Sequence, residues 1–222
     1  PPESDDWTHF LHGPNNNARS RDGRIGAPNH LQWVADPRWT RDHDYTPSTW
    51  GSVTAGGRIF YVQDLGPTSV FSPELPGRHA LVARDAHNGV RLWKRPIPSW
   101  YPSGVIWGTC PVTLNRRVVA SEERVFVTDG LEGPVIAVDA RTGEKLRTYE
   151  PARDAAEILH SGDTLVVGLM EMEPRERDWN PTRREQKLQH TGFLTDHRRG
   201  RALVAFDADS GEELWRYECE FV

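Results

Sequence analysis

A thirteen-residue segment that occurs three times constrains this chain more than any other feature. The copies are LVARDAHNGVRLW at 81–93, VIAVDARTGEKLR at 135–147 and LVAFDADSGEELW at 203–215, and they align without a gap. Each copy has apolar residues, then Asp-Ala, two turn residues and Gly, and a second apolar run. A repeat of this kind indicates a fold built by stacking one supersecondary unit.

The repeated unit predicts a β-hairpin. Its aspartates can accept backbone N–H bonds within the turn, and its glycines can adopt the positive φ that other residues avoid. The aspartates are Asp85, Asp139 and Asp207, and the glycines are Gly89, Gly143 and Gly211. We therefore expect these six residues to have a structural role and not a catalytic one.

Two short β-branched or aromatic runs precede each hairpin. The nearer runs are residues 56–62, 123–128 and 163–168, and the farther runs are 51–55, 117–121 and 156–161. Each repeat therefore holds four strands in order. Four antiparallel strands per repeat form the blade of a β-propeller, so the sequence predicts an all-β propeller fold.

The pattern Ala-x-Asp-x-x-Thr/Ser-Gly-x-x-x-Trp resembles the tryptophan-docking repeat of pyrroloquinoline-quinone-type (PQQ-type) propellers. Residues 138–143 and 206–211 match it closely. The resemblance implies that Trp93 and Trp215 wedge between neighbouring blades. The second repeat has Arg147 in place of Trp, with Tyr149 on the same strand face as a substitute. In the family it resembles, the same repeat occurs both in quinoprotein dehydrogenases and in cofactor-free scaffold proteins of bacterial envelopes, so it implies the fold more than an activity.

A narrower resemblance lies in residues 6–20, 31–39, 41–44 and 81–97. These segments are similar to a group of propeller proteins from planctomycete-type bacteria, some of which continue into further blades or into a methyltransferase-like domain. This chain has no glycine-rich nucleotide motif after a strand, so the sequence predicts no such domain here.

The repeats divide the chain into an N-terminal segment and three blades. We place the segment at 1–45 and the blades at 46–98, 99–150 and 151–222, with a charged insertion at 171–201. Three blades are too few for a closed PQQ-type ring, so we expect a part of a ring of about seven or eight blades. Residues 31–34 (LQWV) are predicted as a clasp strand that belongs to another blade. The expected partners are the remaining blades, in the same protein or in another subunit.

Composition limits the class of protein. The chain has 36% hydrophobic residues with 19 Gly and 17 Pro, which favours short strands and turns over a helical core. Its net charge of −5 argues against nucleic-acid binding, and no apolar run is long enough for a membrane helix. No signal peptide is visible, and the resemblance implies a periplasmic or secreted protein.

The cysteines predict neither a metal nor a haem. Cys110 and Cys219 are far apart and form no CxxC motif, a disulfide between them is not favoured, and the chain has no CxxCH. The sequence therefore predicts no metal site.

Polar and aromatic residues outside the repeats are the candidates for ligand binding. They occur where loops lead toward the centre of a propeller, and a His beside carboxylates suits a metal or a general base, although Asn and Asp also simply make turns. The candidates are His12, Asn16, Arg41, His43, Asp44, Trp50, Asp64 and Trp107.

A PQQ enzyme needs carboxylates and amides that hold calcium, an Asp base and an Arg at the cofactor. Asp44 or Asp64 with Asn16 has the required chemistry, but no motif places them together. The sequence therefore favours a non-catalytic module that binds a protein or a small ligand. The alternative is the N-terminal part of a PQQ- and calcium-dependent oxidoreductase acting on alcohols or sugars. The nine tryptophans suggest, more weakly, a carbohydrate-binding propeller.

Overall fold

The computed structural model describes residues 4–23, 26, 29–36, 48–67, 78–98, 100, 112–171 and 200–221. These residues form three four-stranded sheets, each antiparallel and each in sequence order. The predicted all-β propeller with four-stranded blades is confirmed. We call the sheets blade one, blade two and blade three.

The strands of each blade follow one another from the inside to the outside. Blade one consists of β1 Thr49–Ala55, β2 Arg58–Asp64, β3 His79–Asp85 and β4 Arg91–Ile97. Blade two consists of β5 Val118–Ala120, β6 Arg124–Thr128, β7 Pro134–Asp139 and β8 Lys145–Arg153. Blade three consists of β9 Ala155–Ser161, β10 Thr164–Met170, β11 Gly200–Asp207 and β12 Glu213–Phe221. A single helical turn, α1 at Val112–Asn115, precedes β5.

The innermost strands bring the blades together. Strand β5 contacts both β1 and β9, which places the three first strands side by side. The hydrophobic core lies between the blades: one buried cluster joins blade one to blade two, and a second joins blade two to blade three. Burial of these apolar side chains between sheets is the main force that holds the blades in contact.

The hairpin turns of the three repeats have the same hydrogen bonds. The carboxylate of Asp139 accepts N–H bonds from Arg141 and Thr142, both at 2.8 Å, and these lower the pKa of Asp139, the bond from Thr142 most of all. Asp85 and Asp207 make the same pair of bonds in their own turns. The glycines that follow have φ of 74°, 76° and 75°.

Residues 31–34 pair with none of the three described sheets, so the clasp strand stays a prediction. The sequence predicts an outer clasp strand there, but among the described residues this segment pairs with no other strand. The strands that such a clasp would join are not among β1–β12. The side chain of Trp33 nevertheless packs on blade one, as described below.

We predict that Gly143→Ala will destabilise the protein by about 2–4 kcal/mol. The substitution meets a positive φ, and its Cβ would lie 2.6 Å from a ring carbon of Trp93. Gly162→Ala is the matched control, because Gly162 has a φ of 57° and a Cβ added there would meet no atom of a non-adjacent residue within 4 Å. It should cost only the backbone strain, about 1–2 kcal/mol. Chemical denaturation of both variants measures the difference, and equal losses would contradict the role of the Trp93 contact.

Candidate functional site

The contact between blade one and blade two is made by an outer-strand tryptophan. The indole N–H of Trp93 on β4 donates to the carbonyl oxygen of Ala140 at 3.0 Å. The same ring lies against Gly143, where no side chain intervenes. Trp93 is only 9% exposed and packs against Phe60 of its own blade. We call the Ala carbonyl and the bare glycine of a hairpin turn a docking slot.

The contact between blade two and blade three uses different side chains at the same place. The hydroxyl of Tyr149 donates to the carbonyl oxygen of Ala208 at 2.6 Å, and the aliphatic part of Arg147 lies against Gly211. Burial raises the pKa of Tyr149 to about 12. Two residues on one face of β8 therefore fill the slot that a single tryptophan fills in the previous blade.

The N-terminal segment fills the docking slot of blade one itself. The indole N–H of Trp33 donates to the carbonyl oxygen of Ala86 at 3.0 Å, and its ring lies against Gly89. Arg84, a buried cation of β3, donates to the Tyr61 hydroxyl at 2.7 Å and to the carboxylate of Asp36 at 2.5 Å. The bond from Arg84 lowers the pKa of Asp36 below its ordinary value.

Blade three exposes the residues that would fill the next slot. Trp215, at the position of Trp93, is 46% exposed, and Tyr217, at the position of Tyr149, is 64% exposed. The sequence assigns Trp215 the same wedge between blades, but within β1–β12 no blade follows it. The face of blade three that points away from blade two therefore exposes these two aromatic side chains, and we call it the open face of blade three.

A second N-terminal feature crosses the inner strands. The carbonyl of Trp7 accepts the N–H of Thr54 at the end of β1, and the carbonyl of Thr8 accepts the N–H of Ala120 at the end of β5. The ring of His9 accepts the N–H of His160 near the end of β9 at 3.1 Å. Three consecutive residues therefore bind the ends of three innermost strands. We call residues 7–9 the strap.

The hydrogen bonds of His9 define its protonation state. Its Nε2 accepts a backbone N–H, so it carries no proton, and its Nδ1 lies 2.7 Å from the hydroxyl of Thr8. Thr8 directs its own proton to the carbonyl of His12, so Nδ1 donates to Thr8. His9 is neutral, and burial, with nearby His160 and His12, lowers its pKa to about 4.

The structure separates the predicted ligand-binding residues. His12 is buried and its Nε2 is 2.7 Å from the Asp5 carboxylate, whereas Asn16 is exposed with a φ of 54°. Trp50 is buried in the core between the first two blades. The carboxylate of Asp64 accepts the backbone N–H groups of Gly66 and Arg78. The remaining candidates, Arg41, His43, Asp44 and Trp107, lie outside the described residues.

The described residues do not assemble a PQQ and calcium site. One carboxylate oxygen of Asp64 accepts two backbone N–H groups of the loop after β2, and Asn16 lies in the N-terminal segment. In the part of the chain that the structure describes, no three His, Cys, Asp or Glu side chains are grouped to hold a metal ion. No catalytic step through this cofactor follows from these residues. The described ranges also contain no helix long and apolar enough to cross a membrane.

Sequence reasoning missed several residues that organise these contacts. The pairing of Trp33 with Ala86 has a sequence signal, because every repeat places Ala directly after the turn Asp. The roles of His9 and Arg84 have none, because their partners are 151 and 48 residues away, respectively. Cys219 is half-buried, and Cys110 lies outside the described residues.

The geometry defines the class of protein as a β-propeller, and comparison with solved structures agrees. A europium-containing methanol dehydrogenase aligns with a TM-score of 0.53 and 17% identity, over 96% of this chain and 32% of that chain. The quinohemoprotein alcohol dehydrogenase from Comamonas testosteroni aligns with a TM-score of 0.51 and 17% identity, over 96% and 27%.

The chain spans about a third or less of the length of these structures, and at this identity the likeness shows the fold alone. No family model matches the chain, and no curated protein matches it. The resemblance to PQQ-type propellers agrees with the structural neighbours, whereas the narrower planctomycete-type resemblance stays a prediction.

We predict that Trp93→Ala will destabilise the protein by about 3–5 kcal/mol, because it empties a buried aromatic contact and removes the bond to Ala140. Trp215→Ala is the matched control in the equivalent position of an open face, and it should cost about 1 kcal/mol or less. Urea denaturation gives both values. A loss at Trp215 as large as that at Trp93 would contradict the assignment of an open face.

We predict that stability will fall as the pH falls from about 6.5 to about 4. Unfolded His9 binds a proton near pH 6.5 and folded His9 near pH 4, so the unfolded chain holds the extra proton within this window. The contribution of His9 is at most about 3 kcal/mol, and His160, whose pKa is also lowered by burial, acts in the same direction.

His9→Gln should flatten the pH dependence of the free energy of unfolding, because the amide of Gln does not titrate. His87→Gln, at an exposed position, is the matched control for the loss of a histidine side chain. Denaturation at a series of pH values measures the slopes. If His9→Gln retains the wild-type slope, the strap does not depend on neutral His9.

Proposed function

We propose that this chain is a non-catalytic, PQQ-like propeller module of the bacterial envelope, periplasmic or secreted, that holds a protein or a small ligand. The observation that carries the proposal is that the described candidate residues His12 and Asp64 are engaged in contacts within the chain. Trp215 and Tyr217 lie at the positions where Trp93 and Tyr149 make contacts between blades, yet they are 46% and 64% exposed.

The polar residues support a binding role over a catalytic one. Asp64 accepts two backbone N–H bonds of a loop, His12 is paired with Asp5, and His9 joins the strap to β9. Each of these groups is used to hold the chain in place. A general base or nucleophile requires a group that is free to meet a substrate.

A second candidate is the N-terminal part of a quinoprotein oxidoreductase that uses PQQ and calcium and acts on alcohols or sugars. Its support is the alignment of almost the whole chain with a methanol dehydrogenase and a quinohemoprotein alcohol dehydrogenase. Under this candidate, residues outside the described ranges supply the catalytic set, and Arg41, His43, Asp44 and Trp107 stay candidates for it.

Dye reduction separates the two candidates. The chain, and the longest natural protein that contains it, are incubated with PQQ, calcium or a lanthanide, and a panel of alcohols and sugars. We expect no reduction of an artificial electron acceptor above a protein-free control, with a quinohemoprotein alcohol dehydrogenase as the positive control. Turnover that requires both PQQ and substrate would overturn the non-catalytic proposal.

The binding role has its own test. A photo-crosslinking amino acid at Tyr217 should capture a specific partner in an envelope extract, because this side chain lies on the open face. The same amino acid at Leu92, which is 45% exposed on the outer strand of blade one, is the matched control. Equal capture at both positions would contradict the assignment of the partner surface to blade three.

A further inference from the structure

We propose that a pocket between the N-terminal segment and blade one binds a small neutral polyol of the size of one sugar ring. The pocket has a volume of about 240 Å³ and lies between Trp33 and Asp36 on one side and strands β1 and β2 on the other. The proposal gives a site and a ligand class to the small-ligand role proposed for this chain, and it rests on that role. It does not involve the open face of blade three.

The face of blade one at this pocket differs in composition from the same face of the other blades. In blade two this face carries Val127 on β6 and Val138 on β7, both buried against blade one. The register of the two sheets places Tyr61 and Arg84 at these positions in blade one. The equivalent residues of blade three are again apolar and buried, and they are Val167 and Phe206. Blade one therefore carries a phenol and a guanidinium where the other two blades carry hydrocarbon.

Gln63 extends this polar face along β2. It lies two residues after Tyr61, so the two side chains are on the same face of the strand, and both line the pocket. Gln63 is 5% exposed, and within the part of the chain that the structure describes its amide has no hydrogen-bond partner. The equivalent residue of blade three is the fully buried Leu169. A buried amide without a partner costs free energy, so its place in the wall of a pocket points to a ligand that satisfies it.

The hydroxyl groups of the pocket add further donors and acceptors. The Tyr61 hydroxyl accepts the Nε–H of Arg84 at 2.7 Å, and among the described residues it makes no second hydrogen bond. Its own proton is therefore left for an acceptor on a ligand. Thr49, which pairs with Gln63 across the two strands, and Ser52 line the same pocket from β1, and both are exposed. The pocket thus offers one amide and three hydroxyl groups.

The charged groups beside the pocket are already paired with one another. The carboxylate of Asp36 accepts from Arg84 at 2.5 Å and from Arg91 at 3.1 Å. Arg84 is buried and donates also to the carbonyl oxygen of Gly89 at 2.8 Å. Among the described lining residues, Asp36 is the only one that is charged at neutral pH. A charged ligand would therefore lose its hydration without gaining a free counter-charge, so the pocket favours a neutral one.

Two apolar side chains complete the pocket and limit its occupant. Trp33 is held in place by the bond of its indole N–H to the carbonyl oxygen of Ala86 at 3.0 Å, and Ile59 packs on the buried cluster of blade one that includes Tyr61. The volume is below the roughly 300 Å³ at which pockets for drug-sized ligands begin, so the occupant has about one ring. A monosaccharide or a cyclic polyol matches this pocket, because its hydroxyl groups donate and accept while its C–H groups contact apolar surface.

Ligand binding to the longest natural protein that contains this chain tests the proposal. Saturation-transfer NMR and calorimetry measure the binding of four neutral probes, which are glucose, galactose, ribose and myo-inositol. The uronate and the amino sugar of each hexose serve as charged analogues. We expect saturable binding of at least one neutral probe at one site per chain, and about tenfold or more weaker binding of its charged analogues.

Gln63→Met assigns the binding to this pocket, because it keeps the length of the side chain and removes the amide. We expect the affinity to fall about tenfold, the effect of one lost hydrogen bond. The midpoint of thermal unfolding without ligand should stay the same or rise, because the variant removes a buried amide that has no partner, whereas a structural role would lower the midpoint. Ser52→Ala in β1 should also weaken binding. Ser161→Ala, at an exposed serine of the innermost strand β9, is the matched control and should leave the affinity unchanged.

Three results would overturn the proposal. They are the absence of saturable binding of any neutral probe, as a pocket covered by another blade would give, binding that Gln63→Met leaves unchanged, and a charged analogue that binds better than its neutral parent. Circular dichroism establishes that the variants are folded, and if Gln63→Met does not fold, Ser52→Ala replaces it in the comparison with Ser161→Ala. The proposed function fails on a different readout, because turnover in the dye assay would overturn the non-catalytic role and leave the affinity of this pocket unchanged.

Discussion

The architecture depends on one contact, in which an aromatic side chain of an outer strand meets a hairpin turn of the next blade. The contact requires a carbonyl that points outward, an aspartate that closes the turn and a residue without a side chain beneath the ring. Trp93 on Ala140 satisfies all three requirements, with Asp139 closing the turn and Gly143 under the indole. It combines burial of a large ring with a hydrogen bond, so it fixes both distance and orientation.

The second interface shows that the contact is defined by its geometry and not by tryptophan. The phenol of Tyr149 binds Ala208, and the methylenes of Arg147 cover Gly211. A long cationic side chain can cover apolar surface with its methylenes while its charge stays near solvent. Two side chains together therefore make the contact between the blades where the repeat has lost its tryptophan.

Much of the fold, but little of the candidate site, follows from the sequence. The threefold copy around Asp85, Asp139 and Asp207 predicts the hairpins, and the β-branched runs before them predict the inner strands, because both signals are local. Residues 31–34 are predicted as a clasp strand of another blade, and this stays a prediction because no strand with which it would pair is among β1–β12.

The contacts of the strap were beyond sequence reasoning for a different reason. A histidine that accepts a backbone N–H at one ring nitrogen and donates a hydrogen bond to a threonine hydroxyl from the other has no local pattern, and the pairing of His9 with His160 exists only after three sheets have formed. The predicted ligand-binding residues were likewise chosen by residue type, because a sequence does not show which hydrogen-bond partners each side chain has in the fold. His12 and Asp64 are residue types that can bind a ligand, but the ring of His12 is paired with Asp5 and the carboxylate of Asp64 accepts the N–H of Gly66.

The strap has a consequence for the order of folding. Residues 7–9 leave the ribosome before the blades do, but the acceptor ring of His9 finds its donor 151 residues later. Closing so long a loop before the intervening sheets exist costs entropy that no local contact repays. The sheets can form one after another during synthesis, whereas the strap is completed only when β9 has joined them. His9, made ahead of all three blades, is therefore among the last residues to reach its native contact, and until then the N–H of His160 remains open to other partners.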